Sequence, residues 1–182
     1  MKSSFLKNIC LLGAIAFMVA GCGYTTRSLL PSNIKAIRVE NFKNSINVAA
    51  EQSNIRMYRG YRPGMEVDLT TGIINKFLSD GTLKIASAQN ADLILTGELV
   101  DFSRGALRYD ANDNVEEYRI KLIINMEVRY AKTGELMWSE RGFAGETTYM
   151  TTGSLAISES AAINDAIEDL ARRVVERTVE VW

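Results

Sequence analysis

The sequence predicts an α+β fold, a two-layer sandwich in which a mostly antiparallel sheet of four to five strands carries two helices on one face. Three observations predict it. Residues 115–130 alternate almost throughout between apolar and polar side chains, the period of an antiparallel strand with one covered and one wet face. Two stretches, 65–77 and 163–178, repeat their apolar residues every three or four positions instead, the period of a helix with one buried stripe. The patterns follow one another as β-α-β-β-β-β-α, which leaves the later strands to pair as neighbours and the helices to pack on them.

The chain opens with Lys2 and Lys7, an uncharged run from Ile9 to Ala20, and small residues ending in Val19-Ala20-Gly21-Cys22. Charged, then apolar, then small is the order of a secretory signal. The apolar run is shorter than the roughly 20 residues needed to span a bilayer. Val-Ala-Gly-Cys resembles a bacterial lipobox, in which the cysteine is acylated and becomes the new N-terminus. The other reading is an ordinary signal peptide that happens to contain a cysteine. The lipobox reading makes residues 1–21 a removed signal, Cys22 the lipid anchor, 22–33 an acylated start and tether, and 34–182 a single domain.

Residues 34–39 alternate, with Ile37 and Val39 on one face and Ala36 and Arg38 on the other, and read as a first strand. Residues 41–62 hold no period; within them Arg56, Tyr58, Arg59, Tyr61 and Arg62 form an aromatic-basic patch, a solvated loop or a phosphate-binding one. Pro63 and Gly64 then precede a helix whose buried stripe is Met65, Leu69, Ile73 and Phe77, with Leu78 beside it. Gly81 stops that helix by taking the left-handed cap cheaply, and residues 82–86 form a brief strand.

From Ala91 the pattern is β again. Leu93, Leu95, Gly97 and Leu99 lie on one face, and Ile94, Thr96, Glu98, Val100 and Phe102 on the other. Residues 103–114, with Gly105, Asp110, Asn112, Asp113 and Asn114, read as a turn-rich connection. In the next strand Tyr118, Ile120, Leu122, Ile124, Met126, Val128 and Tyr130 share the covered face, opposite Glu117, Arg119, Lys121, Asn125, Glu127 and Arg129. A hairpin turn at 131–134 returns the chain through 135–143, packed by Leu136 and Trp138. Residues 145–153 read as a polar loop. Ser154 is the expected cap of a last helix that buries Ile163, Ala166, Ile167, Leu170, Ala171, Val174 and Thr178. Its acids precede Arg172, Arg173 and Arg177, an order that suits the helix dipole and supplies pairs such as Glu168–Arg172 and Asp169–Arg173; an anion site is the other use for these arginines.

Composition narrows function by exclusion. Of 21 basic and 22 acidic residues, Lys2 and Lys7 leave with the signal, so the remainder is slightly acidic and lacks the basic footprint of nucleic-acid binding. Of the two cysteines, Cys10 leaves with the signal and Cys22 takes lipid, so no disulfide is expected. There is no histidine, hence no imidazole base, no Ser-His-Asp arrangement and no histidine metal ligand. Neither nucleotide-loop pattern occurs. The expectation is a protein that is no enzyme, with no catalytic residue, metal or cofactor.

Several short matches in order carry a resemblance. They are Gly21-Cys22-Gly23-Tyr24, Leu30-Pro31-Ser32-Asn33-Ile34, Glu40-Asn41-Phe42-Lys43-Asn44, Phe77-Leu78-Ser79-Asp80-Gly81, and Ala91-Asp92 running to Thr96-Gly97. Tyr109-Asp110, Glu117-Tyr118-Arg119, Lys132-Thr133-Gly134-Glu135 with Trp138, Gly145-Glu146-Thr147-Thr148-Tyr149 and the terminal helix complete them. In this order they resemble the LptE family of lipopolysaccharide-assembly lipoproteins. The resemblance implies a protein anchored through Cys22 at the periplasmic face of the outer membrane. It also implies a plug and assembly partner for an LptD-type β-barrel, in contact with lipopolysaccharide. The loop at 43–62 is longer than the family's usual one.

An amphiphile bearing phosphates asks for basic side chains near exposed apolar ones. Arg104 and Arg108 on the strand connection, with Arg119 and Lys121 on the open sheet face, form the candidate cluster; its plainer reading is a solvated edge. The same order of elements also resembles periplasmic scaffold or regulatory lipoproteins of the curli-secretion or peptidoglycan-synthase-activator type.

Overall fold

A computed structural model describes residues 30–46 and 62–180. Six strands and two helices follow in the order β1 (Ala36–Val39), β2 (Lys43–Asn44), α1 (Met65–Asp80), β3 (Lys84–Ile85), β4 (Leu93–Tyr109), β5 (Val115–Tyr130), β6 (Leu136–Met150) and α2 (Glu159–Val179). The sheet is open and ordered β3-β1-β4-β5-β6, with β2 beside β4 farther along. The three long strands pair antiparallel, and the short ones join in parallel. This is the expected α+β sandwich, with its edge on one side filled by strands of two residues.

The alternation along β5 sorts its two faces as read. Ile120, Leu122, Ile124, Met126 and Val128 are buried beneath the helices, while Lys121, Asn125, Glu127 and Arg129 stay partly exposed on the other side. α2 lies over β5 and β6, and α1 packs beside it and against β1 and β3. Met65, Leu69, Ile73 and Phe77 turn inward from α1. Gly81 ends that helix with φ +76°, its N–H donating to the Phe77 carbonyl.

Several sequence expectations are corrected, among them Leu136, which is 44% exposed where packing was expected. β4 runs on to Tyr109, because Arg104, Gly105 and Ala106 pair with Ile120, Arg119 and Tyr118; only 110–114 turns, held by Asp110, whose carboxylate accepts the N–H groups of Asn112 and Asn114. β6 likewise continues through 145–150 rather than ending in a loop, since β5 offers it a partner as far as Glu117. Phe102 is buried with Leu93, Leu95 and Leu99: a bulge between Leu99 and Asp101 inserts one residue and reverses the alternation. Leu78 is 62% exposed, one position off the buried stripe. The cap of α2 is Ser158 in place of Ser154, its hydroxyl accepting the Ala161 N–H. Cys22 and the patch at 56–61 lie outside the described residues.

Candidate functional site

The pairing register decides where each candidate cation stands. Gly105 pairs with Arg119 and Ser103 with Lys121, so Arg119 and Lys121 rise from the open face, away from the helices. They line a shallow depression of about 340 Å³ together with Ser103, Arg104, Gly105, Ala106 and Leu107, although the guanidinium of Arg104 is engaged elsewhere. A Cβ built on Gly105 would meet nothing within 4 Å, so the depression opens directly above the glycine backbone. Among the described residues no carboxylate forms an ion pair with Arg119 or Lys121. Glu146 is the cross-strand neighbour of Lys121 but forms no ion pair with it among the described residues, so the two like charges on next-but-one positions of a strand remain able to meet an anionic group placed above them.

Arg104 stands on the opposite side. It pairs with Ile120, on the face beneath the helices, and its guanidinium forms an ion pair with Glu159 in the first turn of α2. The same group lies 4.6 Å from the centre of the Tyr118 ring, and Tyr118 stacks on Tyr149 at 5.7 Å. Burial works against the Arg104 charge, but Glu159 and the Tyr149 hydroxyl outweigh it and hold the guanidinium above its ordinary value. Arg104 therefore braces the end of α2 against the sheet. Arg108 reaches Glu116 and Glu117, each at 3.5 Å, and the Met150 sulfur at 3.2 Å. The structure brings Arg119 and Lys121 together and leaves Arg104 and Arg108 with partners of their own.

The α2 arginines serve the fold. Arg172 pairs with Asp169 at 2.6 Å and Glu176 at 2.7 Å, Arg173 approaches Asp169 at 3.8 Å, and Arg177 pairs with Glu140 at 2.9 Å while lying over Trp138. Glu168 is not the partner of Arg172 that the spacing predicts, because Asp169 lies nearer in the folded helix. Arg62 donates to Ser160 at 2.8 Å. Among the described residues no group of acids, histidines or cysteines could hold a metal ion, and no helix is long and apolar enough to cross a membrane.

Elsewhere on the open face the polar groups are bonded to one another. Glu98 accepts from Ser45 at 2.6 Å and Asn125 at 2.9 Å, and those two bonds hold its carboxyl below the usual range. Glu127 is held low in the same way by Arg129. This internal pairing was not legible from the strand alone, since its partners come from β4, β5 and the residue after β2.

A family model described as LptE, lipopolysaccharide-assembly, matches residues 34–178. No curated protein sequence matches the chain. Among solved structures the chain is similar to protein XCC0632 from Xanthomonas campestris, with 13% identity, 82% of this chain and 86% of that one covered, and a TM-score of 0.53. It also matches the PelC dodecamer from Paraburkholderia phytofirmans at 17% identity, 81% and 93% coverage and a TM-score of 0.44. A minor lipoprotein from Acinetobacter baumannii matches at 12% identity, 82% and 93% coverage and a TM-score of 0.44. The likeness to XCC0632 is one of fold.

Proposed function

The chain belongs to the LptE family of lipopolysaccharide-assembly proteins, and on that premise we propose that it works at the outer membrane as the lipid-anchored partner of an LptD-type β-barrel. In this reading acylated Cys22 holds the domain at the periplasmic face, and the open face of the sheet receives lipopolysaccharide. The role is one of assembly and plugging, and no reaction step is assigned to the chain.

The observation that carries the contact is the pair Arg119 and Lys121 above the depression floored by Gly105. Leu107, 43% exposed, borders the same depression, so charge and apolar surface meet there as a phosphorylated amphiphile requires. Arg108 stands nearby with its charge shared between Glu116 and Glu117, and Arg104 contributes by fixing the strand.

Replacing Arg119 and Lys121 together by glutamine removes both charges and keeps polar side chains of similar reach. Charge-assisted contacts to phosphate contribute about 1.5–3 kcal/mol each. Affinity for purified lipopolysaccharide should therefore fall at least about tenfold, and wild-type binding should weaken with rising salt. An unchanged affinity would remove the contact from this face. Purification of the acylated protein from detergent extracts tests the partnership separately. Recovery of a large β-barrel supports it, whereas a peptidoglycan synthase or a self-assembled ring would assign the protein to the scaffold class.

A further inference from the structure

β6 forms one edge of the sheet and is 15 residues long. Such an edge offers a row of unpaired N–H and C=O groups to any other strand. Here α2 closes it. Asp169 Oδ2 accepts the Glu146 N–H at 3.2 Å, and Arg173 Nη1 donates to the Ala144 carbonyl at 2.6 Å. Residues two apart on a strand direct their backbone groups to the same side, so both bonds fall on the outer edge. The two side chains are one helical turn apart and 3.8 Å from each other, which makes them a clip with one donor and one acceptor.

They reach the edge because α2 rests directly on Gly145. A Cβ at that position would come within 2.5 Å of Leu170 Cβ and 2.7 Å of the Leu170 backbone, so any larger residue would lift the helix away. The rest of the edge is interrupted too. Ile157 N–H donates to the Met150 carbonyl at 3.2 Å, where Ala156 bridges to Met150. At the other side Gly142, at φ +67°, bulges out of register and gives its N–H to Asn125 Oδ1 at 3.0 Å. Between these interruptions lies Phe143-Ala144-Gly145-Glu146-Thr147-Thr148-Tyr149-Met150, with one charge, no proline and several strong β-formers.

We propose that α2 is an edge guard: the Asp169–Arg173 clip keeps β6 from adding a strand, and the strand it excludes is β6 of a second copy. A copy brings the same low-charge segment, and two such edges meet antiparallel about a two-fold axis. The guard acts whatever the open face binds.

The test compares the full-length protein in detergent with its Asp169→Ala, Arg173→Ala double variant. The variant should keep its helix content and roughly double its protein mass by light scattering, and dilution that separates the two copies should leave the Glu146 amide exchanging at least about tenfold faster than in wild type. Leu170→Ala supplies the control, since it weakens the same helix contact and keeps both clip side chains; it should lose stability and stay at wild-type mass. A double variant that stays at wild-type mass overturns the proposal. So does association of Leu170→Ala to the same extent, which would tie self-association to destabilisation and not to the clip.

Discussion

Thr70 shows how much one polar side chain can fix. It is 4% exposed, its hydroxyl donates to the Glu66 carbonyl at 2.7 Å, and the same oxygen accepts the Phe42 N–H at 3.0 Å. Phe42 in turn occupies the space that a side chain on Gly97 would take, since a Cβ there would lie 2.2 Å from the ring. The chain leaving β1 is thus held to α1 by a hydrogen bond and to β4 by packing, just before the segment at 47–61. Thr70→Val keeps the shape and leaves the Phe42 N–H without its acceptor, which should cost about 1–3 kcal/mol. Chemical denaturation would measure it, and a variant as stable as wild type would mean that the bond contributes nothing. None of this is readable from periodicity: Phe42 lies in a stretch without a pattern, and a threonine on a helix announces no partner 28 positions away.

At the scale of elements, β5 was legible because its covered residues keep to one face of the sheet without a bulge that changes their phase, so one period describes the whole strand. β4 was less so, because the bulge at Leu99/Asp101 changes the phase midway, and nothing local in Val100 or Asp101 marks it. The lengths of β4 and β6 were also missed, since polar strand ends look like loops until a partner strand supplies their hydrogen bonds. The two faces of β5 differ in what a charge does to them. Ile124 is fully buried, and a carboxylate there would have no partner. Asn125 is on the open face yet engaged, donating to Glu98 and accepting from Gly142. Glu98 is held low by Ser45 first and Asn125 second. A depressed folded-state pKa stabilises the fold above the unfolded value of about 4.3 and loses that contribution as pH falls through the folded one. Asn125→Asp removes a donor and sets a second carboxylate beside the first, which raises the Glu98 pKa. The variant should melt below wild type at about pH 7, and the gap should narrow toward pH 4 as the pair takes up a proton. A gap independent of pH would exclude charge repulsion as its cause.

Across the whole molecule the sheet has a base and a tip. β4 alone, 17 residues, extends for up to about 55 Å. At the base, Asp92 accepts the N–H groups of Lys35 and Ala36 at 2.9 and 3.1 Å, and its carbonyl takes the Ala131 N–H of the β5–β6 hairpin. The described chain therefore begins beside that hairpin, while the 110–114 turn and the 151–157 connection lie at the far end. The hairpin at the base was read from the sequence; the parallel placing of β1 between β3 and β4 and the tip were not, because the tip's apolar residues sit in stretches that read as a turn-rich connection or as the first turn of the last helix. Leu107, Tyr109, Leu155 and Ile157 are 43%, 57%, 75% and 41% exposed there. Seven residues lie between Cys22 and Leu30, a reach of at most about 28 Å. An acylated Cys22 thus keeps the base near the lipid and forbids an inverted pose with the tip inserted. An upright pose on that anchor would hold the apolar tip away from the bilayer for a partner. On vesicles of anionic phospholipid, a fluorophore at Thr133→Cys should be quenched by spin-labelled lipid, and one at Asn112→Cys should not. Equal quenching at both positions would mean that the domain lies flat and that its apolar tip meets the membrane itself.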